Sequence, residues 1–173
     1  AWGEALLPKL NGMFAFAIWE RDSQSLFIAR DRLGVKPLYL SRTGERLRFA
    51  STLPALLKGG DISPMLDPVA LNHYLNFHAV VPAPRTLIAG IEKLPPATWM
   101  RIKANGQTEQ KTWWTLPYGP HADEQNLTLE DWRDRVLDST REAVAIRQRA
   151  AVDVGVLLSG GVDSSLLVGL LRD

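Results

Sequence analysis

Hydrophobic positions change their period along the chain. From Gly12 to Ser51 they fall in short runs, MFAFAIWE, SLFIAR, PLYLSR and LRFAS. Turn chemistry separates these runs at Asp22-Ser23, at Asp31 to Pro37 with Gly34 and Pro37 inside it, and at Thr43-Gly44. Short runs of this kind, partly aromatic or β-branched, predict strands. Phe14, Phe16 and Ile18 alternate with Ala15, Ala17 and Trp19, which predicts a strand covered on both faces. The stretch reads as a piece of an antiparallel sheet.

Asp67 to Asn76 predicts a short helix, with Asp67 as N-cap and Pro68 at the first helical position. Pro82, Pro84, Pro95 and Pro96 then force extended or turn geometry. ATWMRIKA and QKTWWTL predict two more strands, with the hairpin signal Asn105-Gly106 between them. The polar stretch Tyr118 to Asn126, with Gly119-Pro120, reads as a loop and a domain boundary. From Thr128 to Ala150 the period becomes helical: Leu129, Trp132, Val136, Ala143 and Val144 share a stripe. Thr128 with Asp131 forms a variant of the capping box. The apolar run VDVGVLL then predicts a buried strand, SGGVD a glycine-rich turn, and SSLLVGLLRD the next helix. Helix, strand, turn and helix in that order predict the start of an α/β domain with a parallel sheet.

Composition narrows the class. The 173 residues correspond to one domain, or parts of two, at about 100–200 residues per domain. Twenty basic and 19 acidic side chains leave a net charge of +1, which argues against a broad basic nucleic-acid face. Apolar residues make up 46% and charged residues 23%, ordinary for a chain that buries a core. There is no cysteine, which removes disulfides, cysteine metal sites and a thiol nucleophile. No apolar run approaches the roughly 18 residues of a membrane span, so a cytoplasmic chain is expected. It begins at Ala1 and stops at Asp173 inside a helical pattern, which reads as a piece of a longer protein.

The segment Gly155 to Ser165, GVLLSGGVDSS, carries the chemistry. Gly160 and Gly161 let the backbone approach a bound anion, and the following helix adds unpaired N–H groups and its positive dipole end. Ser159, Ser164 and Ser165 can donate to phosphate oxygens, and Asp163 can hold the Mg²⁺ that travels with a nucleotide. A Walker loop would need a lysine after the glycines, and the three spaced glycines of the dinucleotide fingerprint are missing too. Leu157 occupies the place where a nucleophile elbow needs glycine. The same residues would also serve a plain strand-to-helix turn capped by Asp163 or Ser164.

LLSGGVDSS resembles the pyrophosphate-binding loop of the adenylating ATP-pyrophosphatases. NGMFAFAIWE, ARDRLGVKPLY and FAS resemble the C-terminal half of a class II glutamine amidotransferase domain, which has the N-terminal-nucleophile αββα fold. Joined in this order, with YLNFHAVVPAPRTLIAGIEKLPP between, they resemble the glutamine-hydrolysing asparagine synthetases over nearly the whole chain. FHAVVPAPRT and FASTLPALL are most similar to N-acetylglutaminylglutamine amidotransferases. Thr52 and Pro54 depart from the asparagine-synthetase pattern, which leaves the acceptor open.

The resemblance implies residues 1–117 as a partial amidotransferase domain, 118–127 as a linker, and 128–173 as the start of an adenine nucleotide α hydrolase-like synthetase domain. It implies ammonia from glutamine, ATP with Mg²⁺, a carboxylate acceptor (aspartate or a peptide), and a homodimeric parent. ATP would be held by Leu158, Ser159, Gly160, Gly161, Asp163, Ser164 and Ser165, with Asp163 on the metal. The family's nucleophilic cysteine lies outside this chain, so no glutaminase residue carries over. Arg30 and Asp31 read as a structural ion pair, and Gly34 and Pro37 as turn formers.

Other candidates weigh less. His73 and His78, about 140° apart on a helix, cannot grip one metal from the same face, and His121 stands alone. Trp113 and Trp114 are adjacent in a predicted strand and would face opposite ways. Arg141, Arg147 and Arg149 read as a solvated helix end. The rival reading is a non-catalytic interaction protein that keeps a decayed amidotransferase sheet and uses the glycine loop only as a turn.

Overall fold

The computed structural model describes residues 2–119, 121 and 124–172. Pro120, Ala122 and Asp123 of the expected linker, and the two ends Ala1 and Asp173, lie outside the described residues. The chain is mixed α/β and divides into two compact units, Ala1–Pro117 and Tyr118–Asp173. No helix among the described residues is long and apolar enough to cross a membrane.

The first unit opens with a 3-10 helix, Gly3–Lys9, which the sequence pattern did not predict. Then come β1 (Ala15–Glu20), β2 (Ser25–Arg30), β3 (Tyr39–Thr43) and β4 (Arg46–Ala50). Helices α1 (Leu53–Lys58) and α2 (Pro68–Asn76) follow, and β5 (Glu92–Lys93), β6 (Thr98–Ile102) and β7 (Thr108–Thr112) complete the unit. The strands form two antiparallel sheets, one ordered β1-β2-β6-β7 and the other β4-β3-β5. Ile28 on β2, with Leu38, Leu40 and Leu94, makes one apolar cluster shared by the two sheets. Phe27 and Ala29 face the other way and pack with Trp99 and Leu7 of the 3-10 helix. Period-two alternation therefore sends successive β2 residues into two different cores.

The strand buried on both faces is thus β2. Within the described sheet β1 lies at an edge, paired only with β2, and its Ile18 and Trp19 are exposed. Phe14 and Phe16 still reach the first cluster, while Ala15 and Ala17 touch the second.

Helix starts follow local chemistry. Thr52 caps α1, accepting from the Ala55 N–H, and Pro54 sits in the first turn. The two residues that depart from the asparagine-synthetase pattern are thus the residues that begin a helix. Asp67 caps α2 through the Val69 and Ala70 N–H groups, as its sequence predicts, and also pairs with Arg85 at 2.6 Å. The β6–β7 connection is wider than a two-residue turn. Lys103 N–H donates to Gln107, Gly106 N–H donates to Lys103, and of Asn105 and Gly106 only the glycine has positive φ, +81°. This matches a three-residue loop closed by a left-handed glycine. β7 ends at Thr112, so Trp113 and Trp114 lie beyond the strand. Trp113 stacks on Phe14 with ring centroids 6.2 Å apart and donates its indole N–H to the Arg30 carbonyl.

The second unit holds α3 (Leu129–Arg147) and α4 (Val162–Arg172). The Thr128–Asp131 capping box is fully formed, and α3 ends three residues before the expected Ala150. VDVGVLL is not a strand here: residues 152–158 are unpaired, and Leu157 is 96% exposed. A strand needs a neighbour for its N–H and C=O groups, and the described part of this unit offers only helices.

Candidate functional site

The glycine loop runs into the N-terminus of α4, and its own hydroxyls shape it. Ser165 N–H donates to the Gly161 carbonyl at 3.1 Å, the first intrahelical bond, so Gly161 holds the cap position. The Ser164 and Ser165 hydroxyls donate to the same carbonyl at 3.1 and 2.8 Å. Ser159 Oγ lies 3.0 Å from Ser164 Oγ and accepts from the Gly161 N–H at 3.4 Å. Ser159, Gly161, Ser164 and Ser165 thus form one small hydrogen-bonded ring.

Gly160 turns the chain with φ of +83°, and no atom lies within 4 Å of where its Cβ would sit. Glycine is required there by the backbone conformation, and the space beside it is open. The N–H groups of Val162, Asp163 and Ser164 belong to the first turn, which has no intrahelical acceptors for them. Together with the dipole end they form an anion-favouring surface. Leu158 precedes the ring and is exposed.

Asp163 and Ser164 are not the helix cap, contrary to the plain-turn expectation. Asp163 lies inside the first turn, and among the described residues its carboxylate has no hydrogen-bond or ion-pair partner. No group of three or more His, Asp or Glu side chains converges anywhere among the described residues. The loop therefore offers a metal one carboxylate, and water or ligand oxygens would have to complete any coordination.

In the first unit, Arg30 and Asp31 do not pair with each other. Asp31 follows the last residue of β2, and each of the two finds backbone partners instead. The Asp31 carboxylate accepts from the N–H groups of Phe14, Leu33, Val35 and Lys36 at 2.9–3.2 Å. The Arg30 guanidinium donates to the carbonyls of Gly34, Lys36 and Leu94. Burial alone would raise the Asp31 carboxyl, yet those four N–H donors hold it below the ordinary 3.8. Gly34 is confined by both conformation and room: φ is +65°, and a Cβ would come 2.9 Å from Pro96 Cγ. Burial first, and then the neighbouring Arg30 charge, lower the Lys93 amine, whose Nζ donates to the Val81 carbonyl.

The unit also holds an open cleft of about 870 Å³ that the sequence did not announce. Arg42, Asp67, Arg85 and Glu92 line it with Ile88 and Met100, from segments far apart in the chain. Such a grouping has no sequence signal. His73 sits in α2 with its ring 5.6 Å from that of Phe77, whereas His78 lies beyond the helix end with φ of +52°. They do not share a helix.

Residues 1–114 match the family described as glutamine amidotransferase domain, and residues 135–173 match asparagine synthase. A glutamine-hydrolysing asparagine synthetase of Bacillus subtilis is 36% identical over 171 residues, covering 98% of this chain and 26% of its own length. A putative one from Methanocaldococcus jannaschii is 34% identical, covering 96% of this chain and 32% of its own. The amidase chyE of Penicillium rubens is 31% identical, covering 99% and 25%. A solved glutamine phosphoribosylpyrophosphate amidotransferase from B. subtilis is 14% identical with a TM-score of 0.40, covering 96% of this chain and 32% of its own. The chain spans about a quarter of the length of the first curated relatives it matches.

Proposed function

The chain belongs to the glutamine-hydrolysing asparagine synthetase family, and from that premise we propose that its parent protein is a glutamine-dependent carbon–nitrogen ligase. Residues 1–117 are part of the domain that releases ammonia from glutamine, 118–127 a linker, and 128–173 the start of the domain that consumes it. There a carboxylate, aspartate by analogy with the named relatives, attacks the α phosphorus of ATP, the bond to the β phosphate breaks, pyrophosphate leaves and an acyl-adenylate forms. Ammonia attacks the acyl carbon, the acyl–phosphate bond breaks, and AMP leaves.

The observation that supports this reading is the Leu158 to Ser165 loop. It offers an open approach at Gly160, first-turn N–H groups and one uncommitted carboxylate, and the Ser164 and Ser165 hydroxyls, now turned onto the Gly161 carbonyl, would rotate to meet a phosphate. These donors fit the β and γ phosphates of ATP, which this loop would hold while the α phosphorus faces the acceptor. A Mg²⁺ ion on those phosphates would take Asp163 as its protein ligand and neutralise their charge.

The test is Asp163→Asn in the complete parent enzyme, with pyrophosphate release and glutamate release measured on one preparation. Asn keeps the shape, and the cap at Gly161 is untouched. Losing an ionised ligand beside a triphosphate should lower pyrophosphate release by about 10²–10³, a few kcal/mol in barrier, while glutamate release stays. Near-normal pyrophosphate release would return the loop to a structural turn.

A further inference from the structure

The dipeptide Asn-Gly occurs twice, at Asn11-Gly12 and Asn105-Gly106, and all four residues are exposed. By sequence the two are equivalent. Their surroundings are not.

At the hairpin, the Gly106 N–H donates to the Lys103 carbonyl at 2.9 Å, and the Asn105 side-chain oxygen accepts from the Gln107 N–H at 3.0 Å. Both groups that would react are held. At the other site, neither the Asn11 side chain nor the Gly12 N–H is hydrogen-bonded among the described residues. The segment is a short strap between fixed points: the Leu10 carbonyl accepts from Arg32 at 2.7 Å, and the Phe14 N–H donates to Asp31 at 3.2 Å. Gly12 has φ of +153°, and apart from its chain neighbours no atom lies within 4 Å of a notional Cβ, so the backbone there is uncrowded.

We propose that Asn11 is a site of spontaneous deamidation and isoaspartate formation in the folded chain, and that the hairpin protects Asn105. The Gly12 nitrogen loses its proton and attacks Asn11 Cγ. The N–Cγ bond forms, the bond from Cγ to the side-chain nitrogen breaks, and ammonia leaves with the proton. Water then opens the cyclic imide at one carbonyl or the other, giving aspartate or isoaspartate. The isoaspartyl product lengthens the strap between Leu10 and Phe14 by one backbone atom. It also places a carboxylate beside the apolar groove of Leu6, Leu10, Met13 and Phe14.

The experiment holds the full chain in mildly alkaline buffer at physiological temperature. Isoaspartate at each asparagine is read by peptide mass spectrometry and by labelling with an isoaspartyl methyltransferase. A parallel sample is kept in denaturant. Two hydrogen bonds of ordinary net strength should slow Asn105 by about tenfold or more relative to Asn11 in the folded chain. In denaturant the two rates should converge. Gln107→Pro removes the N–H that holds Asn105 and should raise its rate without changing that of Asn11. Asn105 keeping pace with Asn11 in the folded chain, or the same ratio persisting in denaturant, overturns the proposal.

Discussion

Asp31 shows how one side chain can tie distant backbone together. It is 2% exposed, and its two oxygens gather N–H groups from the approach to β1 and from the turn after β2. Asp31→Asn would replace one oxygen with an NH₂ facing two of those donors. Leaving buried N–H groups unpaired should cost about 2–4 kcal/mol, read as a lower urea midpoint by tryptophan fluorescence. The same contacts set a pH dependence. Because the folded carboxyl lies below its unfolded 3.8, its stabilisation is complete above that pH and is lost as pH falls through the folded value. Urea midpoints measured across that window should fall in the parent chain, and the variant should lack this part of the fall. Ala97 carries the opposite lesson. It is buried with φ of +48°, held by its N–H on the Asp31 carbonyl and its carbonyl on the Trp113 N–H. Ala97→Gly should relieve left-handed strain and raise stability by about 0.5–1 kcal/mol in the same urea titration. An unchanged or lower midpoint would mean the strain is absorbed elsewhere.

Among the elements, helix starts were legible because their causes are local. Asp67-Pro68 and Thr128 with Asp131 act within one turn, so their spacing already contains the geometry. Thr128→Ala should remove the α3 cap at a cost of about 1 kcal/mol. Faster amide exchange confined to the first turn of α3 would show it, and uniform exchange along the helix would count against it. Strand environment was less legible. The apolar alternation of β1 resembles that of a central strand, yet β2 takes that place because β6 pairs with it and not with β1. The run VDVGVLL has the composition of a buried strand but no partner within the described unit, so its pattern stays unrealised. The Asn105-Gly106 signal located the turn correctly, while the pairing of Lys103 with Gln107 decided its length.

At the scale of the molecule, the two units differ in how much they bury. The first has two apolar clusters built around β2, whereas α3 has no buried residue and Leu157, Leu158 and Leu166 are exposed. Contiguous uncovered apolar surface favours association. Sedimentation of the chain should therefore show concentration-dependent species, and dye binding should fall when residues after 117 are removed. A compact monomer that resists proteolysis through α4 would contradict this. The sequence by itself determined what acts over a few residues: the caps, the turns, the mixed α/β class and the SGGVDSS loop, whose glycines and hydroxyls lie within one turn of each other. Tertiary structure alone decided what depends on residues far apart in the chain. It made β2 the buried strand, and it sent Arg30 and Asp31 to backbone partners as distant as Leu94 and Phe14 instead of to each other. It also gathered Arg42, Asp67, Arg85 and Glu92 around one cleft. The physical reason is that a hydrogen bond or an apolar contact is chosen by which partner is nearest after folding, and proximity in space is not written in proximity along the chain.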